Sequence, residues 1–203
     1  MSYSSSRSRR SRRSRPKTER DRVRETGLTD EVLTIRLHNK VTKGGRKLSF
    51  AALVAVGDGN GRVGIGYGKG ASVPIAIEKG TKEARRSMVR IKLVGSTIAH
   101  EVLGAHGSAR VLLRPATPGT GVKAGSTVRS MLQVLGVENA LSKIRGSGNP
   151  INVAKATLKA LMSMRSVAEV EKLRGVNVEL FHPQADADAS AQPDAEAGAS
   201  ESA

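Results

Sequence analysis

The chain has 203 residues, with 34 Lys and Arg against 18 Asp and Glu, a formal net charge of +16, and no cysteine. Disulfides and thiolate metal sites are therefore excluded, and the excess positive charge predicts a polyanionic partner, either nucleic acid or an anionic membrane surface. The longest apolar run, at residues 50–56, is far shorter than the ~20 residues of a membrane-spanning helix. Because the N-terminus also lacks the apolar segment of a secretory signal, we expect a soluble, cytoplasmic protein.

Aromatic residues are scarce, since the chain has two Tyr, two Phe and no Trp. Domains that read single-stranded RNA stack bases on several exposed rings, and this chain cannot build such a platform. We therefore expect contacts to phosphates, to 2′-hydroxyls and to RNA shape, which predicts a structured RNA partner.

The two ends of the chain differ in composition from the middle. Residues 1–24 hold ten Lys and Arg against two acids in a Ser/Arg-rich run, and residues 182–203 hold five acids with no Lys or Arg. Neither end has the apolar periodicity that would offset the entropy cost of ordering. Residues 1–31 are predicted to be a disordered basic extension and residues 182–203 a disordered acidic tail, which is expected to shield the basic middle from non-specific RNA.

Residues 32–95 are predicted to form a β-β-β-α module. Gly44 and Gly45 predict a flexible turn, and the Gly/Asn-rich run at 57–61 predicts a hairpin, because these residues tolerate positive φ. Gly64 and Gly66 share one face of the third strand, which leaves that face open to close approach by another backbone. The three expected strands are at 32–41, 48–56 and 62–67.

The helix of this module is predicted to follow Ser72, an N-cap residue type, with Pro74 in its first turn. A basic stripe at helical spacing is predicted to face outward, and it could serve RNA or be a solvated face with Glu78 and Glu83 as local partners. The surplus of base favours RNA. The inner face is predicted to be Val73, Ile77, Gly80, Ala84, Met88 and Ile91, and the basic stripe Lys79, Lys82, Arg86 and Arg90.

Residues 96–181 are predicted to form a second, β-β-α-β-α module without internal repeats. Asn149 and Pro150 have the residue types of a helix cap and of a first helical position, and predict the start of the last helix. The other expected elements are strands at 98–103 and 110–113 around a turn at 104–107, a loop at 115–121, a helix from Ser126 to a terminating Gly136, and a strand at 140–144.

No catalytic or cofactor-binding constellation can be found in the sequence. The G-x-G-x-x-G match at 59–64 precedes a predicted strand rather than the helix that a dinucleotide site requires. Gly68-Lys69-Gly70 lacks the first glycine of a P-loop and the Ser or Thr that would hold Mg²⁺. We therefore expect no enzyme, no cofactor, no metal and no small-molecule substrate. The four histidines have no ligand partners at metal spacing and are expected to lie on the surface or to face RNA: His38, His100, His106 and His182.

The segment Lys43-Gly44-Gly45-Arg46 has the residue types of a phosphate-binding loop. Paired glycines let the backbone approach a phosphate, and the flanking cations neutralise it. A solvated hairpin turn accounts for the same residues equally well.

Several longer motifs occur in order between residues 32 and 180. They are Lys43-Gly44-Gly45-Arg46, Leu48-Ser49-Phe50, the run at 57–69, Glu83-Ala84-Arg85-Arg86, Pro115-Ala116, Gly119-Thr120-Gly121, Ala124-Gly125, and the run at 146–152 continued by Ala156-Thr157 and Ala160-Leu161. Together they closely resemble the bacterial form of the small-subunit ribosomal protein five family.

The resemblance implies an α+β fold of two small α/β modules. The first would be a double-stranded-RNA-binding-like domain, and the second an α/β domain whose β-α-β crossover is left-handed, against the usual rule. The resemblance also implies binding to 16S small-subunit rRNA and contacts with small-subunit ribosomal proteins four and eight. It further implies a place beside the channel by which mRNA enters, an influence on decoding accuracy, and a loop at 41–46 near the spectinomycin site.

Two departures from the family pattern are specific to this chain. Leu37-His38-Asn39 stand where the family usually has an Asn-Arg-Val run, which puts the antibiotic contacts in doubt. Lys123 stands where the family usually has Ile.

The residues and the resemblance together predict two sets of site residues in a structural constituent of the ribosome. A free-standing chaperone or regulator that binds double-stranded RNA is the alternative. The RNA-binding set is Lys43, Gly44, Gly45, Arg46, Arg62, Lys69, Lys79, Lys82, Arg85 and Arg86. The protein-contact set is Gly119, Thr120, Gly121 and Arg129.

Overall fold

A computed structural model describes residues 27–175 of the chain. The predicted acidic tail lies outside the described residues, as does the predicted basic extension up to residue 26. The end of that extension was placed wrongly, because residues 29–31 pair with residues 55–57 in the first sheet. The described part is a mixed α+β fold of two small α/β modules, as the sequence predicted. No helix within it is both long enough and apolar enough to cross a membrane.

The first sheet contains four antiparallel strands in the order β1-β2-β3-β4. Strand β2 has an unbroken buried run at residues 51–57, because both faces of the sheet are covered. Ala52, Val54 and Val56 pack against helix α1, while Leu53 and Ala55 pack against the second module. The elements are β1 (Thr29–Thr42), β2 (Gly45–Gly57), β3 (Arg62–Gly70), α1 (Val73–Arg86) and β4 (Val89–Arg90).

Helix α1 lies on the glycine face of β3, where close approach by another backbone was predicted. A Cβ atom on Gly66 would stand 1.9 Å from the carbonyl oxygen of Gly80, and one on Gly64 would stand 2.1 Å from that of Ala84. Only hydrogen atoms therefore fit between the strand and the helix. Ser72 occupies the N-cap position, but its side chain makes no capping hydrogen bond.

The predicted inner face of this helix was too long. The Ser87 amide donates to the carbonyl oxygen of Glu83 (3.1 Å), and its hydroxyl donates to that of Ile65 (2.8 Å). The helix ends at Arg86 with Ser87 as its C-cap, so Met88, Arg90 and Ile91 lie outside it. Arg90 pairs with Arg62 in the sheet, and Ile91 enters the core of the second module.

The second sheet has the order β7-β8-β10-β9, with β9 parallel to β10. Helices α2 and α3 cover one face, and Gly136 ends α2 in the left-handed conformation predicted for it (φ 95°). The Asn149 side chain accepts a hydrogen bond from the Ile151 amide and caps α3, again as predicted. The elements are β5 (Leu93–Val94), β6 (Thr97–Ile98), β7 (Val102–His106), β8 (Ala109–Pro115), β9 (Val122–Lys123), α2 (Ser126–Leu135), β10 (Ala140–Gly146), α3 (Pro150–Met162) and α4 (Val167–Arg174).

Two predictions for this module were wrong. The strand expected at 98–103 is divided between β6, in a small hairpin with β5, and β7. Gly104 lies inside β7 rather than in a turn. It is a glycine for a different reason from the one expected, since a Cβ there would stand 2.3 Å from the carbonyl oxygen of Ala156 on α3. Helix α4 was not predicted at all. The handedness of the crossover stays a prediction.

The two modules share a continuous core. Val63 and Ile91 of the first module pack with Leu132 and Leu135 of α2. The amides of Gly59 and Gly61 in the β2–β3 turn donate to the carbonyl oxygens of Val134 and Leu135, each at 3.1 Å. The division of the chain at residues 95 and 96 stays a prediction.

Candidate nucleic-acid interface

Strands β1 and β2 extend beyond the rest of their sheet as a two-stranded arm. Strand β3 pairs with β2 only from Phe50 onward, so residues 38–49 of the β1–β2 hairpin have no third strand. We call this segment the arm.

The predicted phosphate loop forms the tip of the arm. Lys43, Gly44, Gly45 and Arg46 are all exposed. Gly45 has φ 130°, and no atom lies within 4 Å of where a Cβ on either glycine would be. Both cations and an unobstructed backbone are therefore presented together, which is the arrangement that a phosphate contact requires.

Lys69 lies at the base of the arm. It belongs to a cross-strand row with Ala51 and Arg36, and its ammonium group stands 5.6 Å from the centre of the Tyr67 ring. Arg36 donates to the Asn149 side chain (3.1 Å), so the base of the arm is tied to the start of α3. The Tyr67 hydroxyl lies 3.4 Å from Nε2 of His38.

Arg62 is the one predicted RNA-binding residue that the structure sets apart. It lies at the opposite end of β3 from Lys69, and its Nε is 3.9 Å from a carboxylate oxygen of Asp58. The same carboxylate accepts hydrogen bonds from the amides of Asn60 (2.8 Å) and Arg62 (2.9 Å). These contacts give the Arg62–Asp58 pair a role in shaping the turn.

Helix α1 presents Lys79, Lys82, Arg85 and Arg86 to solvent. Glu83, predicted as a possible local partner for this basic face, instead accepts a hydrogen bond from the Tyr67 amide on β3 (3.0 Å). Within residues 27–175 these four cations have no carboxylate in ion-pair contact. Arg85 and Arg86 in the last turn also stabilise the helix through its dipole, so a structural role exists beside the RNA-binding one.

The predicted protein-contact residues flank the start of α2. Gly119 and Gly121 have positive φ (85° and 72°) and open space around their backbones, and the Gly121 amide donates to the Asn139 side chain (3.0 Å). Arg129 is exposed and lines two clefts. One, of about 730 Å³, also contains Gly59, Gln133 and Gly136, and the other, of about 460 Å³, contains Lys123 and Lys143.

Sequence reasoning missed a further basic surface on the second sheet. Residues with buried or half-buried side chains alternate along β7, β8 and β10 with residues that face away from α2 and α3. The period-two alternation of β8 and β10 was the signal that could have found it. We call this surface the outer sheet face; it consists of Leu103, Arg110, Leu112, Arg114, Lys123, Leu141, Lys143 and Arg145.

The described residues contain no group of three or more side chains able to hold a metal ion. Nε2 of His100 accepts the Arg165 amide proton (3.1 Å), which gives that histidine a structural role, and His182 lies outside the described residues. The hydrogen bond from Lys92, and then that from the Ser166 amide, hold the pKa of the Glu169 carboxyl below its usual range.

Both modules match families of known proteins. Residues 28–92 match the family described as ribosomal protein S5, N-terminal domain, and residues 104–174 match ribosomal protein S5, C-terminal domain. Among similar proteins, the small ribosomal subunit protein uS5 of Shewanella loihica is 49% identical over 75% of this chain and 91% of its own. Those of Alteromonas mediterranea (50% identical) and Syntrophobacter fumaroxidans (53%) each cover 74% of this chain, and 90% and 91% of their own lengths.

Proposed function

The chain belongs to the ribosomal protein S5 family, and from this premise we propose that it is a structural constituent of the small ribosomal subunit that binds 16S rRNA in the cytoplasm. The family is a structural, non-enzymatic component of the ribosome. The observation that carries RNA binding is the arm, whose tip presents Lys43, Arg46 and an open glycine backbone. The exposed cations of α1 supply a second basic surface.

The mechanism is neutralisation of phosphates by side chains held on rigid elements. The arm reaches beyond the sheet so that its tip can enter a fold of the RNA, and Lys69 with Arg36 adds positive charge at its base. Contacts of this kind position a protein on RNA without reading bases. The scarcity of aromatic residues agrees with that mode, since stacking on bases is not required.

Co-sedimentation separates this function from that of a free-standing RNA chaperone or regulator. The tagged chain is expected to remain with small subunits through a sucrose gradient at high salt, because a constituent is held by many contacts at once. A regulator would wash off into the top fractions. That second result would contradict the ribosomal assignment.

Salt dependence tests the arm directly. The logarithm of the binding constant for a duplex-containing rRNA fragment falls with the logarithm of salt concentration by ~0.9 per neutralised phosphate. Arg46→Ala should reduce the slope by about one phosphate. Lys155→Ala, an exposed position on α3, is the control and should leave the slope unchanged. An unaltered slope and affinity for Arg46→Ala would place that side chain in solvent.

The segment with Gly119, Thr120, Gly121 and Arg129 is the proposed contact with small-subunit ribosomal protein four, and protein eight is a further proposed neighbour. Open backbone at the two glycines permits close approach, and Arg129 lies at the junction of two clefts. This interface would lie beside the channel by which mRNA enters and would be rearranged during tRNA selection, so it would have two states. A substitution that stabilises one state more than the other would shift their populations.

Arg129→Glu should therefore change misreading of stop and near-cognate codons while subunits still assemble. Reporter genes measure misreading, and gradient profiles measure assembly. Arg129→Lys keeps the charge and should restore part of the accuracy. Normal accuracy in normally assembled subunits carrying Arg129→Glu would refute the assignment.

A further inference from the structure

The outer sheet face is an uncovered basic surface on the second module. Its opposite side packs against α2 and α3, whereas on the open side Leu103 is 58% exposed and Leu141 is 37% exposed. No described element covers these leucines, so the face has room for an occupant. Its five exposed cations are Arg110, Arg114, Lys123, Lys143 and Arg145.

Most of the positive charge on this face is unpaired within the described part of the chain. Arg114 has a partner, because its Nε lies 2.8 Å from a carboxylate oxygen of Glu101. The other four cations have no carboxylate in ion-pair contact within residues 27–175. Arg110 and Arg145 are paired directly across β8 and β10, and like charges in that position destabilise a sheet. An acidic occupant would remove this repulsion.

The acidic tail has the charge and the spacing to be that occupant. Residues 182–203 hold five acids and no Lys or Arg, and an acid alternates with alanine in Asp186-Ala187-Asp188 and in Asp194-Ala195-Glu196. An extended segment puts residues two apart on the same side, about 6.8 Å from each other. Lys143 and Arg145 are also two apart, on β10. A tail segment laid along β10 would therefore place acids against bases in register.

Helix α4, from which the tail continues, begins beside this face. The Arg165 amide donates to Nε2 of His100 (3.1 Å), directly before Glu101 on the approach to edge strand β7. Asp186 lies 11 residues beyond Gly175, the end of α4, and 11 extended residues span up to about 36–40 Å. Helix α4 itself is about 12 Å long, and four strands are about 14 Å across. The tail is thus long enough to cross the whole face.

We infer that the acidic tail docks on the outer sheet face of the free chain, where it covers the cations until a stronger polyanion displaces it. Exposed ion pairs are individually weak. The tether offsets this weakness, because it raises the concentration of the tail at the face to the order of millimolar. That RNA is the displacing polyanion rests on the proposed function, whereas the docking does not.

A spin label in the tail tests the docking on the full chain. Since the chain has no cysteine, Ala187→Cys gives a unique thiol between two acids, and it is labelled with a nitroxide. At low salt, the label should broaden the amide resonances of Leu103, Leu112 and Leu141 relative to the reduced label. Salt at about 0.5 M should remove the broadening, because it screens exposed charges.

Two variants show whether the cations of the face hold the tail. Arg110→Ser with Arg145→Ser should weaken the broadening, and Lys155→Ser, at an exposed position on α3, should leave it unchanged. The amides of Gly44 on the arm and Lys82 on α1 report the other basic surfaces. Broadening centred on either of these, or broadening nowhere, would overturn the inference.

Binding of a non-specific RNA duplex measures the consequence of the docking. A tail docked nine-tenths of the time leaves about a tenth of the faces open, which weakens binding there about tenfold. Neutralising the acids should therefore tighten binding by up to about tenfold at low salt. The neutralised tail carries Asp186→Asn, Asp188→Asn, Asp194→Asn, Glu196→Gln and Glu201→Gln.

A double-mutant cycle separates docking from a general effect of net charge. In the background of Arg110→Ser with Arg145→Ser, the gain from neutralising the tail should largely disappear, because the two changes act on one contact. An equal gain in both backgrounds would mean that the tail acts through net charge alone and would overturn the inference. Co-sedimentation of the chain with small subunits depends on neither result, so the proposed function is tested separately.

Discussion

At the scale of single residues, the glycines of β3 set the distance between strand and helix. Gly66→Ala would put a Cβ atom 1.9 Å from the Gly80 oxygen and 2.5 Å from the Ala84 nitrogen. These are backbone atoms that cannot rotate away, so the free energy of unfolding should fall by about 3 kcal/mol, the upper end of overpacking costs. Urea unfolding measures the change.

Gly44→Ala is the matched control for that substitution. It has no neighbouring atom within 4 Å and its φ is not in the left-handed range. Its effect should stay within about 0.5 kcal/mol. Equal effects of the two substitutions would show that the strand and helix are not in the close contact described.

Residue patterns foretold some of these contacts and not others. The face shared by Gly64 and Gly66 predicted a close approach, and α1 makes it. Asn149 was predicted as a helix cap from its residue type and the proline that follows it, and its side chain does cap α3. The pairing of Arg62 with Asp58 was not foreseen, because a Gly-rich turn does not show which way its side chains point.

At the scale of elements, local periodicity misplaced boundaries that tertiary contacts decide. Met88 and Ile91 continue the apolar spacing of α1, yet the helix is capped at Ser87, whose hydroxyl bonds to Ile65 on the adjacent β3. Helix α4 was overlooked, although Ser166 and Glu169 have the spacing of a capping box, and both of its hydrogen bonds form. That motif was the available signal.

The cap of α4 should respond to acid. Lys92 and the Ser166 amide lower the pKa of Glu169 in the folded chain. The stability that the Glu169 carboxylate gives to the cap is therefore complete above the unfolded pKa of ~4.3, and it is lost as pH falls through the lower folded pKa. Helical NMR shifts at residues 167–174 should therefore weaken only below about pH 4.3. Glu169→Gln should remove that acid transition, and persistence of the transition in the variant would assign it to another group.

At the scale of the whole molecule, the shared core makes the two modules one folding unit. Leu135→Ala removes a fully buried side chain at the junction and should cost about 2–5 kcal/mol. Amide exchange at Val54 in the first sheet and Val111 in the second should report the same loss. A loss confined to Val111 would mean that the modules unfold separately.

Leu173→Ala, at an exposed position on α4, is the control for that experiment and should change the free energy of unfolding by less than about 0.5 kcal/mol.

The junction between the two modules could not be predicted from the sequence. The Gly-rich run at 57–61 predicts a free hairpin turn, whereas its amides bond to the end of α2, and a Cβ on Gly136 would stand 2.0 Å from the Gly59 oxygen. Contacts between segments so distant in the chain leave no local pattern.

The arm has a consequence for the chain before it is assembled. Strand β1 is an edge strand of 14 residues, and Leu37 and Val41 are more than half exposed on it. Long apolar edges recruit the edges of other molecules and promote aggregation, and lysines on the edge oppose this. Lys40 and Lys47, paired across the arm, fit that protective role. We expect newly made chain to self-associate through β1 until a partner covers this edge.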